Sequence, residues 1–454
     1  MGFRSINPAN GEPLGEFADW SAAELENALA AVAEATPRWA ATPLAQRCRS
    51  MRAVADVLRK KKEHLARLVT LEMGKLVREA RAEIEKCATA FEYYAEAGPR
   101  FLANEQIHTD ASSSYVACQP LGTVLAIMPW NFPVWQVMRF AAPALTAGNT
   151  GLLKHASNVP QCALAIEQVF REAGLPEHVF RTLMIPAKGV ADVIKDARVH
   201  AVTLTGSEAA GRQVAATAGE HLKKTVLELG GSDAFVVLED ADIDLAAGNA
   251  VVARFLNAGQ SCIAAKRFIV VDAIADAFIA KFTAGASALR PGDPLQEHTT
   301  LAPLARLDLR DELHQQVRDS VKQGATIVTG CVPAPGPGAF YLPSILDNVT
   351  PGSRAYHEEL FGPVASIIRA RDEDDALRIA NDCRFGLGGS VWTRDIGRGE
   401  RFALGMQCGA AFVNGMVKSD PRLPFGGVKA SGYGRELSHH GMHEFLNVKT
   451  IWVK

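Results

Sequence analysis

The sequence predicts an α/β protein built on two open, mainly parallel sheets, and three observations carry that prediction. The chain is 454 residues long, which at about 150 residues per domain makes two or three domains. From Tyr115 short β-rich runs alternate with helical stretches, the pattern of βαβ units over a parallel sheet. The alternation then starts again at Phe268, which asks for a second α/β domain.

Taken in order, the first hundred residues read mainly as helix. Ser21 followed three residues on by Glu24 is a capping-box start leading into Leu25, Leu29 and Val32 at helical spacing. Further helical runs cover about 44–73 and 76–94. Strands are expected over 123–128, 150–154, 180–185, 201–205, 225–229 and 235–238, with helices over 161–173 and 208–218 between them. The second series comprises a strand at 268–271, helices over 275–289 and 309–323, and a strand at 326–329. The Pro/Gly-rich segment 333–338 is a loop, and no internal repeat or low-complexity tract is visible.

Composition narrows the function classes. Hydrophobic residues make up 48% and charged residues 22%, too apolar for disorder. The 48 basic against 50 acidic residues leave a net charge of −2, and the pI is near 6.6, so no basic surface for nucleic acid is expected. The eight cysteines are scattered with no CxxC pair, which suggests neither a redox motif nor a cysteine zinc site. Residues 1–10 lack a signal-peptide core, Ile6 breaks the myristoylation pattern, and no apolar stretch of about 18 residues is present. The expectation is a cytoplasmic protein with free thiols and no membrane contact.

No Walker A motif occurs, and Gly386-Leu387-Gly388-Gly389 has Val391 where a dinucleotide fingerprint needs its last glycine. A phosphate site remains possible at Thr205-Gly206-Ser207, where a strand opens into a helix whose first N–H groups are free for an anion; an ordinary Ser-capped helix is the plainer reading. Cys262, in Asn257-Ala258-Gly259-Gln260-Ser261-Cys262, has small polar neighbours that leave a thiol within reach of a substrate, although free cysteines are usually small buried hydrophobes. Glu228 ends an apolar strand before Gly230 and Gly231; such a carboxylate has a raised pKa and suits a general base, unless it is a paired structural acid. Asn131, between Pro129-Trp130 and Phe132-Pro133, is a rigidly mounted amide suited to donate to an oxyanion, or else a loop cap.

Read together, these motifs resemble the aldehyde dehydrogenase superfamily over essentially the whole chain. Their order is Pro-Trp-Asn-Phe-Pro, Lys154 at a strand end, Thr-Gly-Ser, Glu-Leu-Gly-Gly and Gly-Gln-Ser-Cys, followed by Glu358-Glu359-Leu360-Phe361-Gly362-Pro363 and Pro424-Phe425-Gly426-Gly427. The resemblance implies two Rossmann-like open-sheet domains plus a small β oligomerisation arm. Residues 1–103 and 121–229 would bind cofactor, 230–435 would be catalytic, and 104–120 with 436–454 would form the arm of a homodimer or homotetramer. It also implies that Cys262 attacks an aldehyde, Asn131 and the Cys262 N–H hold the oxyanion, and Glu228 activates the hydrolytic water. Trp130, Lys154, Ser157, Gly206, Ser207, Glu359 and Phe361 would face an NAD or NADP cofactor.

Within the superfamily the sequence is most similar to the short bacterial succinate semialdehyde dehydrogenases, through Leu153-Lys154-His155-Ala156, 260–268 and 435–439. That similarity assigns Arg139 and Ser419 to the distal carboxylate of the substrate, since a carboxylate asks for a cation and hydroxyl donors. The second arginine expected six residues before the nucleophile is Leu256, and Arg254, Lys418 and Arg422 are candidates to replace it. Ala264 stands where some relatives have a second cysteine, so no vicinal disulfide switch is expected. Ser157 replaces a glutamate that repels a 2′-phosphate, and His155 would crowd or attract that phosphate; dual cofactor use with a lean to NAD follows. Trp135 leaves room for an aromatic aldehyde, glutarate semialdehyde is another substrate of the same kind, and a catalytically silent structural member is the alternative of a different class. The cluster His439, His440, His443 and Glu444 lacks zinc-enzyme spacing, so no metal is expected, and Lys60-Lys61-Lys62 reads as an exposed helix face.

Overall fold

A computed structural model describes residues 2–454. Two open sheets form its frame. The first holds six strands in the order Gly432–Tyr433, Lys224–Glu228, Ala201–Thr205, Thr123–Met128, Thr150–His155 and Phe180–Thr182. All are parallel except Gly432–Tyr433, which runs antiparallel against Leu227 and Glu228. Its inner strands are near-continuous apolar runs because helices cover both faces. The chain builds outward from Thr123–Met128 in one direction and then returns to its other side at Ala201–Thr205, a topological switch point that opens a crevice at the strand C-termini.

The second sheet holds seven strands in the order Thr326–Thr329, Ser344–Asp347, Val364–Ala370, Ala265–Val271, Asp233–Val237, Gly388–Trp392 and Ala410–Val413, with only the first antiparallel. Its switch point lies at Asp233–Val237. A third sheet pairs Leu446–Val453 with Ser113–Pro120 and the latter with Glu105–Gln106, all antiparallel.

The capping box forms as read: the Ser21 N–H donates to the Glu24 carboxylate at 2.7 Å, and the Ser21 hydroxyl accepts from the Glu24 N–H at 3.2 Å. Other elements depart from expectation. Residues 3–17, which the helical reading passed over, form an antiparallel ribbon of Phe3–Ile6 and Pro13–Phe17. The run 44–73 is two helices, Leu44–Lys60 and Lys62–Met73, broken where Lys61 leaves helical geometry at φ −96°, ψ 7°. The run expected to stop at Tyr94 continues as the helix Val77–Phe101, because its apolar face still packs inward at Ala95, Ala97 and Gly98. That helix matters most for function: its Arg78–Lys86 face lines the cavity described next.

Candidate active site

Cys262 lies just beyond a backbone segment that only strong bracing can hold. Asn257, Ala258 and Gly259 all have positive φ, at 53°, 51° and 73°, a conformation that costs a non-glycine residue about 1–3 kcal/mol. The braces are visible. The fully buried Arg254 guanidinium donates to the carbonyls of Gly259 at 2.7 Å, Gly362 at 2.6 Å and Ala265 at 2.9 Å. Lys266 donates to the carbonyls of Ser261 at 2.7 Å and Cys262 at 2.8 Å. Gln260 accepts from the Ala305 N–H at 2.8 Å, and the Asn257 N–H donates to Glu79 at 3.1 Å. Gly259 is required sterically as well, since a Cβ there would run into Arg254 and the Gly362 carbonyl.

Asn131 sits in the turn after Thr123–Met128 and is buried. Its side-chain amide donates to the Gln260 carbonyl at 3.1 Å, and its own carbonyl accepts from the Asn257 side chain at 2.8 Å. One amide hydrogen holds Asn131 to the nucleophile loop, which leaves the second free. Among the described residues no protein acceptor takes the Cys262 N–H. Burial pushes the Cys262 thiol up to about 12, against the pull of Arg139 and Lys266. Cys262 therefore rests as a thiol.

Glu228 ends the strand Lys224–Glu228 and is 2% exposed. Neither carboxylate oxygen has a hydrogen-bond partner. Burial first, and the nearby Glu436 second, push its carboxyl well above the usual carboxylate range, opposed by Arg139 and Arg435. It has space because Gly426, at φ 153°, carries no side chain: a Cβ there would lie 2.7 Å from Glu228 Oε1.

Cys262, Arg139 and Ser419 line one cavity of about 490 Å³, together with Trp135, Leu256, Lys86 and Lys418. Arg139 comes with its charge already matched. It forms a buried ion pair with Glu436, its guanidinium lies 4.6 Å from the Phe425 ring centroid, and it donates to the Thr205 hydroxyl at 3.3 Å. Of the three candidates for the missing second arginine, Arg254 is excluded by its burial among carbonyls. Arg422 is bound to Asp420 at 2.6 Å, and Lys418 is exposed at the rim.

Of the groups expected to face a cofactor, Trp130, Lys154, Ser157, Gly206 and Ser207 follow or end strands of the first sheet, while Glu359 and Phe361 come from the loop before Val364–Ala370 of the second. Ser207 caps the helix Glu208–Glu220, its hydroxyl accepting from the Ala210 N–H at 3.3 Å, with Gly206 open beside it. Lys154 is buried at the end of its strand with the His155 carbonyl as hydrogen-bond acceptor at 2.6 Å, and burial pushes its ammonium down to about 8. Ser157 is exposed. Trp130 and Phe361 meet edge to face at 5.8 Å, and Glu359 pairs with Lys266 at 3.1 Å and accepts from the Gly231 N–H at 3.2 Å. The expectation for His155 is corrected. The ring is buried, its Nδ1 accepts from the Ala156 N–H at 2.8 Å and its Nε2 faces the Pro133 carbonyl at 2.8 Å. Burial pushes it down to about 4, so it is neutral and neither reaches nor attracts a phosphate.

Sequence reasoning missed Asn257, Gln260 and Lys266 as braces. The available signal was a charged pair, Lys266-Arg267, inside the apolar strand Ala265–Val271: buried cations there must be satisfied by carbonyls, and Arg267 donates to those of Ser232, Ile379 and Ala380. Elsewhere, His439 and His440 stack at 3.9 Å, and His443 Nε2 faces the Phe101 carbonyl at 2.8 Å. Among the described residues no group of His, Cys, Asp and Glu has the makings of a metal site, all eight cysteines are free, and no helix is long and apolar enough to cross a membrane.

A braced thiol, an amide donor and an unbonded buried acid near a strand-end crevice give this α/β fold the makings of an enzyme site. Comparison with known proteins makes the class specific: the chain belongs to the aldehyde dehydrogenase family, whose model matches residues 1–451. It is 49% identical over 448 residues to the succinate semialdehyde dehydrogenase (NAD(P)+) of Escherichia coli K12, covering 99% of this chain and 97% of that one. It is 50% identical over 460 positions to the succinate-semialdehyde dehydrogenase (NADP(+)) of Mycolicibacterium paratuberculosis, covering 100% and 97%. Among solved structures, the succinic semialdehyde dehydrogenase of Streptococcus pyogenes, in complex with NADP+, superposes with a TM-score of 0.97 at 38% identity, covering 99% of each chain.

Proposed function

We propose that this protein oxidises succinate semialdehyde to succinate with NAD(P)+ and releases the acid by hydrolysis. The observation that carries the reading is the single cavity that Cys262 shares with Arg139 and Ser419, which suits a short aldehyde with a polar far end. The names of the relatives point to the same substrate.

In this reading Cys262 Sγ gives up its proton to water and attacks the carbonyl carbon, forming a C–S bond as the C=O π pair moves onto oxygen. The second amide hydrogen of Asn131 and the Cys262 N–H stabilise the oxyanion of the thiohemiacetal. The bound cofactor supplies a nicotinamide that accepts the hydride. Glu228 takes a proton from water, the hydroxide adds to the thioester carbon, and the C–S bond breaks to return the thiolate. Arg139 and Ser419 contact the distal carboxylate.

The crevice residues fit a dinucleotide. Lys154 is a buried ammonium with a carbonyl as its hydrogen-bond acceptor, suited to ribose hydroxyls, and the Ser207-capped helix end beside open Gly206 suits a pyrophosphate. Trp130, Phe361 and Glu359 lie on the nicotinamide side. Exposed Ser157 brings no negative charge to a 2′-phosphate, so both cofactors are accommodated, and the NADP(+) in the relatives' names weights the reading toward NADP. The protein is cytoplasmic and works as a homodimer or homotetramer. The sheet ending in Leu446–Val453, with Val448, Trp452 and Val453 about half exposed, supports assembly.

The test is reduced-cofactor formation across aldehydes with and without a distal carboxylate, with NAD+ and NADP+ at matched concentration, repeated with Arg139→Ala. Preference for the carboxylate-bearing aldehydes, weakened in the variant, is expected; a wild type without that preference overturns the substrate assignment.

A further inference from the structure

Besides exposed Arg78 and Lys418, three cations line the cavity around Cys262: buried Lys75 and Arg139, and partly buried Lys86. Two are neutralised by the protein. Lys75 forms a buried ion pair with Glu83 and lies 3.6 Å from the Phe132 ring centroid, and Arg139 is paired with Glu436. Lys86 is different. Its ammonium donates to the Ser419 hydroxyl at 2.6 Å and lies 4.3 Å from the Trp135 ring centroid, and it has no ion pair with any described carboxylate. The acids nearest to it are engaged elsewhere. Glu83 holds Lys75 and accepts from the Val134 and Trp135 N–H groups, both at 2.9 Å, and Asp420 holds Arg422. An ammonium partly withdrawn from water without a counter-ion is costly, and it stands in a cavity that also carries Trp135, Phe132 and Leu256.

We propose that Lys86 is the second cation at the distal carboxylate of the substrate, acting beside Arg139 with Ser419 as their hydroxyl partner. The proposal rests on the reading of this site as one for a carboxylate-ended aldehyde and names the group that selects it. Lys86 supplies the charge that Leu256 does not. It comes from the helix Val77–Phe101 rather than from the loop before the nucleophile, which is why motif spacing around Cys262 does not reveal it. Arg139, whose charge is already matched by Glu436, is the other cation of that contact. The substrate carboxylate displaces nothing charged: it completes a pair that the protein leaves open.

Supporting electrostatics follow from the surroundings. Burial and then Arg139 push the Lys86 ammonium down to about 8, against Cys87 and Glu83 on its own helix and Asp420 on the facing loop. Carboxylate selection by Lys86 therefore weakens as pH rises through that value, because only the protonated amine attracts the substrate.

The experiment compares kcat/KM for succinate semialdehyde and for butanal, which has the same carbon count and no carboxylate, in the wild type, Lys86→Met, Lys86→Arg and Lys418→Met. The expected result is a fall of about 10- to 100-fold in the succinate semialdehyde to butanal ratio for Lys86→Met, the size of one hydrogen-bonded charge contact. In Lys86→Arg the ratio is largely restored and no longer declines between pH 7 and 9, whereas in the wild type it does decline. A variant that only disturbs folding lowers both substrates together and leaves the ratio intact. A wild type that prefers succinate semialdehyde while Lys86→Met keeps that preference, or a larger loss of ratio in Lys418→Met, overturns the role of Lys86 and leaves the substrate reading standing. Absence of any preference in the wild type overturns both. Should Lys86→Met fail to fold, the pH profiles of the wild type and Lys86→Arg decide: a ratio flat with pH in both overturns the proposal.

Discussion

The two groups proposed for the covalent chemistry are held in opposite ways. The loop of Cys262 is tied by Arg254, Lys266, Asn257 and Gln260 through hydrogen bonds to its own carbonyls and to its neighbours. Glu228 is fixed only by its strand: both carboxylate oxygens are unbonded, and glycines stand beside it. The contrast follows from what each group must do. A nucleophile gains from being held near its attack geometry, and strain stored at positions 257–259 is tolerable because buried cations hold the loop down. A base that must let substrate and cofactor react first and then reach a water gains from space and from a pKa displaced toward neutrality.

The harshest way to break this comparison is at the thiol. Cys262→Ala is expected to lower dehydrogenase turnover by at least about 10⁴-fold, the scale of losing a covalent nucleophile, with thermal stability close to wild type because the change removes one sulfur that borders the cavity. Residual turnover above that level would remove the covalent route. Glu228→Gln sharpens the other side. Loss of the base is expected to cost about 10²–10⁴-fold in steady-state rate, while rapid mixing still shows a burst near one equivalent of reduced cofactor per site, since the thioester forms but is not hydrolysed. A steady rate with no burst would place Glu228 before hydride transfer instead.

Asn131→Ala probes the brace and the proposed oxyanion donor at once, because the amide that donates to Gln260 is also the one proposed to meet the reacting oxygen. A drop of about 10²–10³-fold in kcat is expected, and a loss below tenfold would leave the oxyanion to the backbone N–H alone. Gly259→Ala tests the braces without touching chemistry. The added Cβ meets Arg254 and the Gly362 carbonyl at φ 73°, so a destabilisation of about 1–3 kcal/mol is expected from denaturant unfolding. Unfolding indistinguishable from wild type would show that the loop yields.

Local pattern made the frame legible. Apolar runs bounded by turn residues marked the strands at 123–128 and 201–205 to the residue, because strands buried on both faces carry a continuous signal. Ser21 and Glu24 marked a helix start for an equally local reason. The ribbon at 3–17 escaped because its strands are only four and five residues long, too short to carry a clear period, and such pairing is decided by what packs on it. At the proposed site, the surroundings of Cys262, Glu228 and Asn131 were readable since each sits in a short motif whose neighbours state its environment. The partners of Arg139 were not: Glu436 lies nearly 300 positions away and only the strand Gly432–Tyr433, folded back onto Leu227–Glu228, brings that segment to the site. Arg254 misled for the same reason, since proximity in sequence to the nucleophile says nothing of whether a cation faces substrate or carbonyls.

The gentlest test of the comparison uses pH. A free-standing thiol ionises near pH 8.5, so its alkylation rate levels off just above that. Burial holds the Cys262 thiol up to about 12, with Glu359 and Glu228 adding to the shift and Arg139 and Lys266 opposing it. In the cofactor-free enzyme the thiolate fraction therefore rises about tenfold per pH unit and does not saturate between pH 7 and 9. Mass-resolved alkylation of the Cys262 peptide by iodoacetamide is expected to follow that slope. Glu228→Gln removes one of the groups that raise the thiol, so the same reaction should run modestly faster at each pH in that variant. Alkylation that levels off below pH 8 would mean that Arg139 and Lys266 outweigh burial and that the loop stores a thiolate rather than a thiol. In that case the bracing serves charge stabilisation as much as position.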